Sequence, residues 1–200
     1  MGTGNDETLL RHAGPDRLFH WLTAATLLVL LGTSFLPIAG VHFAWLVPHW
    51  LAGLLLTLLV AYHVVRAVTA LNVKAIRLKS ADLAELKGVK PGKYSLAQKA
   101  MHKAWSIALL IVIATGLLLM IKAGTPVFGR NGMLFSLQGW GVLTLLHDGA
   151  ALLSLFLVIV HVYFGLRPEK RHYLESMLRG QVSRAALGRD HDLERVARGE

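Results

Sequence analysis

Four stretches of the chain are almost purely apolar, and the polar residues are gathered between and outside them. They run from Leu18 to about Ile38, about Val47 to Leu71, about Trp105 to Ile121 and about Gly141 to Leu166. Each approaches the roughly 20 residues that span a hydrocarbon core. Proline punctuates them: Pro37 closes the first, Pro48 opens the second and Pro168 stops the fourth. The apolar faces are too wide to give the one-sided stripe of a helix on a water-facing core, as expected where lipid is the solvent. The pattern predicts an all-α integral membrane protein: a four-transmembrane-helix bundle, one membrane domain over residues 1–200, with a tail from 167 to 200. The first run follows a polar segment holding Asp6, Glu7 and Asp16, and no small-residue cleavage site follows it. It therefore reads as a span, not a cleaved leader.

Composition agrees with this distribution. Hydrophobic residues make up 54% of the chain, yet its formal net charge is +9. Nineteen of the 21 Lys and Arg lie in the amino-terminal segment, the second connection and the tail, which share one side of the membrane. Only Lys122 and Arg130 lie in the third connection, and the first connection has none. The positive-inside rule then places both termini in the cytoplasm. Because the cations flank apolar runs, they match a lipid bilayer and not nucleic acid. The second connection (SADLAELKGVKPGKYSLAQK) is too polar to insert and predicts a short helix before Lys87-Gly88. The glycine-rich third connection predicts an outer cap. In the tail, Tyr173, Met177 and Val182 recur at helical spacing on a surface segment with a charged, loose end. Cysteine is absent, which excludes disulfides, thioether-attached haem and thiolate-held iron–sulfur clusters. A redox centre in this chain must use histidine, methionine or a freely bound cofactor.

Ionisable residues inside membranes are costly and mark function. Five of the ten histidines fall within or at the edge of the apolar runs: His20, His49, His63, His147 and His161. His147 and His161 are 14 residues apart, almost four turns, so they leave one helix face about 21 Å apart. That places one in each leaflet, too far apart for one metal ion and suited to two haems, each taking one ligand. With both termini inside, topology pairs His20 with His161 on the inner side and His49 with His147 on the outer. His63, 14 residues after His49, also reaches the inner leaflet, so spacing alone leaves His20 and His63 both open as inner ligands. Gly32, Gly53, Gly116 and Gly149 fit either a flat macrocycle or close helix packing.

Several motifs resemble a known family. They are R-L-F-H-W-L-T-A (Arg17 to Ala24), P-H-W-L-A-G (Pro48 to Gly53), G-K-Y-S-L-A-Q-K (Gly92 to Lys99), L-L-H-D-G-A…I-V-H-V-Y (Leu145 to Tyr163) and S-M-L-R-G-Q-V-S-R (Ser176 to Arg184). They are similar to the gamma (cytochrome b) subunit of membrane-bound formate dehydrogenases, in a group that includes hydrogenase b-type cytochromes and bacterial cytochrome b561. The resemblance implies two haem b groups, with iron held by His20 and His161 (inner) and His49 and His147 (outer). His63 becomes the less favoured alternative. It also implies a site for menaquinone or ubiquinone near Lys93, Tyr94, Ser95, Gln98 and His102, where Ser95 stands at a position commonly Asn. His102 stands there either as a proton shuttle or in the headgroup region. The implied function is electron transfer in the bacterial cytoplasmic (inner) membrane between the quinone pool and a partner iron–sulfur or multihaem subunit. Substrate oxidation would fall to a separate catalytic oxidoreductase subunit, and this chain would hold no catalytic residue of its own. Two other expectations stand beside it: a stand-alone cytochrome b561-like quinone oxidoreductase, and a haem-free membrane anchor.

Overall fold

The computed structural model describes residues 7–69 and 73–199. Its elements, in chain order, are β1 (Thr8–Leu10), α1 (Gly14–Ile38), α2 (Leu46–Thr69), α3 (Val73–Ile76), a 3-10 helix (Ser80–Lys87), α4 (Leu96–Ala123), α5 (Leu137–Leu166) and a short 3-10 turn (Pro168–Lys170). The tail adds α6 (Arg171–Arg179), β2 (Gln181–Ser183), α7 (Arg184–Asp190) and α8 (Leu193–Ala197). α1, α2, α4 and α5 are each long and apolar enough to cross a membrane. They correspond to the four apolar runs; the predicted end of the second, Leu71, lies outside the described residues. Pro15 near the start of α1 and Pro48 in the first turn of α2 sit where a missing N–H costs nothing. Large apolar side chains stand fully outward along these helices, among them Leu58, Val68 and Phe156. Such a surface suits lipid and not water.

α4 begins at Leu96, well before its apolar run at Trp105. Hydropathy does not set that boundary; capping does. Ser95 N–H donates to Gln98 Oε1 (2.9 Å) and Gln98 N–H donates to Ser95 Oγ (3.2 Å). This reciprocal S-x-x-Q box satisfies donors that the first helical turn would otherwise leave open. Glu85 adds a third cap, both carboxylate oxygens accepting from Leu96 N–H at 2.9 Å.

The chain divides into two compact units. One comprises Met1–His20, His63–Ala104 and Ile159–Glu200; the other comprises Trp21–Tyr62 and Trp105–Val158. In the second unit, Leu56, 1% exposed, packs with Leu30, Ala52, Val60, Leu109 and Ile113. Ala108 and Ser154 are also buried there, the Ser154 hydroxyl donating to Ala150 O (2.8 Å) within its own helix.

The first unit holds the tail and the amino-terminal segment together. β1 and β2 pair antiparallel, Leu9 opposite Val182. Val182, expected to continue a helical face, is a buried strand residue instead. Only Tyr173 and Met177 of that trio lie on α6. The helix stops at Gly180, whose φ of 88° is the left-handed region that glycine adopts without strain. A Cβ there would also lie 3.0 Å from His12 O and 3.1 Å from Arg17 Nη1. The bare backbone lets Gly180 O accept from Arg11 N–H and His12 N–H (2.9 and 3.1 Å). Arg17 donates to the exposed carbonyls of Met177 and Leu178 at the end of α6. The end of the tail is ordered rather than loose. Buried His191 donates from Nδ1 to Gly92 O, and the Tyr173 hydroxyl bridges His191 Nε2 (2.7 Å) and Asp190 Oδ2 (3.0 Å). Burial raises the Tyr173 hydroxyl above its ordinary range, with Asp190 adding to the rise, so it stays protonated. Asp192 caps α8 by accepting from Glu194 and Arg195 N–H.

Candidate functional site

The membrane-run histidines assemble separately within each unit. In the second unit, His49 near the start of α2 and His147 on α5 face each other with ring centres 6.3 Å apart. In the first, His20 on α1 and His161 on α5 do so at 6.2 Å. Two imidazoles sharing one metal as trans ligands, with metal–nitrogen bonds of about 2 Å, have ring centres about 6.3 Å apart. Both pairs meet that separation. His63 and His102 also lie 6.4 Å apart, so separation alone does not define a metal site. His63 is further engaged by Phe19, stacked on it at 4.8 Å and 13°. Phe19 directly precedes His20, so the stack braces the turn that carries His20. Among the described residues, no cluster of three or more His, Cys, Asp or Glu is placed to hold a metal. Iron held here would need its other donors from a macrocycle.

The second unit's pair is oriented by two threonines. Thr33 Oγ1 lies 2.8 Å from His49 Nδ1 and 2.8 Å from Val29 O. Thr115 Oγ1 lies 2.9 Å from His147 Nδ1 and 2.6 Å from Ile111 O. A backbone carbonyl only accepts, so each hydroxyl proton goes to the carbonyl four residues back. Each hydroxyl oxygen then accepts from the imidazole Nδ1–H. That fixes both rings as the Nδ1–H tautomer and leaves each Nε2 lone pair unused by these bonds. A pair of neighbouring imidazoles in this tautomer, each with an Nε2 lone pair to give, is what a metal between them requires.

Space matches the donors. Thr33, His49, Gly53, Gly116 and His147 line a cavity of ≈ 810 Å³, within the roughly 300–1,000 Å³ of cofactor sites. The rest of its wall is mainly Leu, Ile, Val, Met and Trp. Gly116 matters most among the four glycines singled out in the sequence. A Cβ there would stand 3.2 Å from His147 Cε1. The ring rests against bare helix backbone. Gly53 faces open space along the same cavity, whereas Gly32 and Gly149 line no part of it. Gly116→Ala should therefore displace the His147 ring by a few tenths of an ångström. If His147 holds a cofactor, its retention should fall by roughly 10- to 100-fold, the usual cost of disturbing a metal ligand's surroundings. Equilibrium loading of the purified variant checks this; unchanged loading would show the contact to be slack.

The remaining candidate residues gather at the start of α4 in the first unit. Ser95 and Gln98 cap the helix, which occupies the Gln98 carbonyl and leaves its amide N–H₂ as donors. Lys93 Nζ lies 5.6 Å over the Tyr94 ring. Burial raises the Tyr94 hydroxyl above its ordinary value despite the opposing pull of Arg11, so it remains an O–H donor. His102 is exposed, one turn beyond Gln98 and beside His63. Lys99, in the same motif, is turned inward to buried Asp82 (2.8 Å).

Sequence reasoning passed over Thr33, Thr115, Asp82 and the Phe19 stack. Their partners lie on other elements, and no local pattern announces them. The S-x-x-Q box alone carried a readable signal, marking the start of α4.

Comparison with known proteins gives the family. The profile of the family described as prokaryotic cytochrome b561 matches residues 11–180. No curated protein sequence matches the chain significantly. With four apolar helices, facing histidine pairs and a family match over most of its length, this multi-pass membrane protein belongs to the prokaryotic cytochrome b561 family.

Proposed function

We propose that this chain is a di-haem cytochrome b subunit, similar to the gamma subunit of formate dehydrogenase. It would carry electrons between a partner redox subunit and the quinone pool of the bacterial cytoplasmic membrane. The observation that carries the proposal is the pair of facing imidazole couples, at 6.2 and 6.3 Å, on helices of membrane-spanning length. Family membership makes the chain a b-type cytochrome; two couples at bis-imidazole separation support two haems. His20 and His161 would hold one, and His49 and His147 the other. Bound haem b supplies reversible one-electron exchange at its iron.

The protein's own groups do the rest. Thr33 and Thr115 hold two ligands in the metal-binding tautomer. The apolar cavity wall excludes water and keeps the local dielectric low. His147 and His161 share α5 at a 14-residue interval, which is about 21 Å of α-helix. Near the start of α4, Tyr94, Ser95 and Gln98 offer neutral hydrogen-bond donors for quinone carbonyls, and His102 offers an imidazole for proton delivery. The Lys and Arg asymmetry orients both termini and this donor cluster to the cytoplasm. The long tail with its S-M-L-R-G-Q-V motif supports the reading as a subunit of a larger complex with an iron–sulfur or multihaem partner.

Vesicles test the electron path. The purified chain, reconstituted with quinone in the bilayer and ferricyanide trapped inside, should pass electrons from a membrane-impermeant external reductant. Internal ferricyanide should bleach faster than in protein-free vesicles containing the same quinone. Equal rates would remove the transmembrane path.

A further inference from the structure

We infer that Lys122 and Arg130 form a two-cation rim that binds the propionate carboxylates of the haem held by His49 and His147. The inference rests on the haem reading above and adds to it which edge of the macrocycle faces the α4–α5 connection.

Lys122 and Arg130 are the only Lys and Arg between Lys103 and Arg167. Both line the cavity that contains His49 and His147. The fold of the α4–α5 connection brings both to that cavity wall. Lys122 sits in the last turn of α4, its Nζ 5.5 Å over the ring of buried Trp140. Trp140 is itself pinned, its Nε1–H donating to Gly132 O (2.8 Å). Past the helix, Gly124 turns the chain with φ 76°, and its missing Cβ would stand 2.9 Å from Arg130 Cβ. Thr125 N–H donates to Phe128 O (2.9 Å), Phe128 N–H to Thr125 Oγ1 (3.1 Å) and Asn131 N–H to Ile121 O (2.9 Å). These bonds fold residues 124–131 back over the end of α4. Arg130 thus stands on the same rim as Lys122, eight residues earlier.

Neither cation has an ion-pair partner among the described residues. Asp148 is the single acidic side chain lining the cavity. Two cations without an ion-pair partner on the wall of a mainly apolar cavity are the arrangement a dianionic edge requires. A carboxylate leaving water for such a site needs a charge-assisted partner. Haem b carries two carboxylates on one edge, and the rim carries two cations.

The test is a redox titration of the purified holoprotein, followed by its b-type absorption, for wild type, Arg130→Gln, Lys122→Gln and the double variant. Removing positive charge beside a propionate disfavours the reduced state, which carries one more electron. The double variant should lower the reduced-to-oxidised ratio of one haem about tenfold at a fixed potential, a shift of about 59 mV for one electron. The second haem should not move. If the glutamine variants lose that haem outright, Arg130→Lys should restore it. Two haems per chain with both potentials unchanged in the double variant would overturn the rim while leaving the haem reading intact. Wild-type protein without b-type haem would overturn both.

Discussion

If the chain holds two haems as proposed, His161→Ala and His20→Ala are each expected to cost the purified protein one haem, whereas His63→Ala should retain both. The expectation follows from the geometry at His20. Its ring faces His161 at 6.2 Å, the separation of two imidazoles on one iron. His63 stacks on Phe19 and lies beside His102. On that reading, losing His20 or His161 would remove a metal bond and leave the facing histidine without its counterpart. Losing His63 removes only a brace behind His20. Haem-to-protein ratios by pyridine haemochrome read the difference directly. A ratio near one for His20→Ala and near two for His63→Ala is expected. The reverse pattern would move the inner ligand from α1 to α2.

The second large effect concerns stability. Lys99 and Asp82 form a buried pair, 6% and 5% exposed, at 2.8 Å. Asp82 Oδ2 also accepts Lys79 N–H at 2.8 Å, which clasps the 3-10 helix against the start of α4. Asp82→Asn leaves the Lys99 ammonium buried without a counter-charge, a loss of about 3–5 kcal/mol. The double change Asp82→Asn with Lys99→Met should recover much of it, because the orphaned charge goes too. Thermal unfolding of the detergent-solubilised proteins, compared as a double-mutant cycle, measures the coupling; additive losses would show that the pair is not coupled. The pH dependence has a definite sign. Burial works to raise the Asp82 carboxyl, but Lys99 and the Lys79 N–H outweigh it and hold it below the usual range. Its contribution is therefore complete above the ordinary carboxylate pKa of about 3.9 and fades as pH falls through the lower folded value.

The four spans were legible because lipid imposes one requirement on every residue of a run, so each apolar stretch declares itself alone. The 14-residue interval between His147 and His161 was legible for the same reason: both lie on one helix. Features requiring two elements were not. Thr33 and Thr115 look like any helical threonine bonded to the carbonyl four residues back, as Thr26 and Thr57 are. Only the fold sets a histidine beside them. The pairing of Leu9 with Val182 joins three-residue strands from opposite ends of the chain, too short to show an alternating pattern. The spacing of Val182 therefore points to a helix face that Gly180 has already ended.

Haem content tests the account most directly. The purified 21.9 kDa chain should carry two b-type haems, titrating as two one-electron steps in its reduced-minus-oxidised spectrum. One haem per chain, or none, would contradict it.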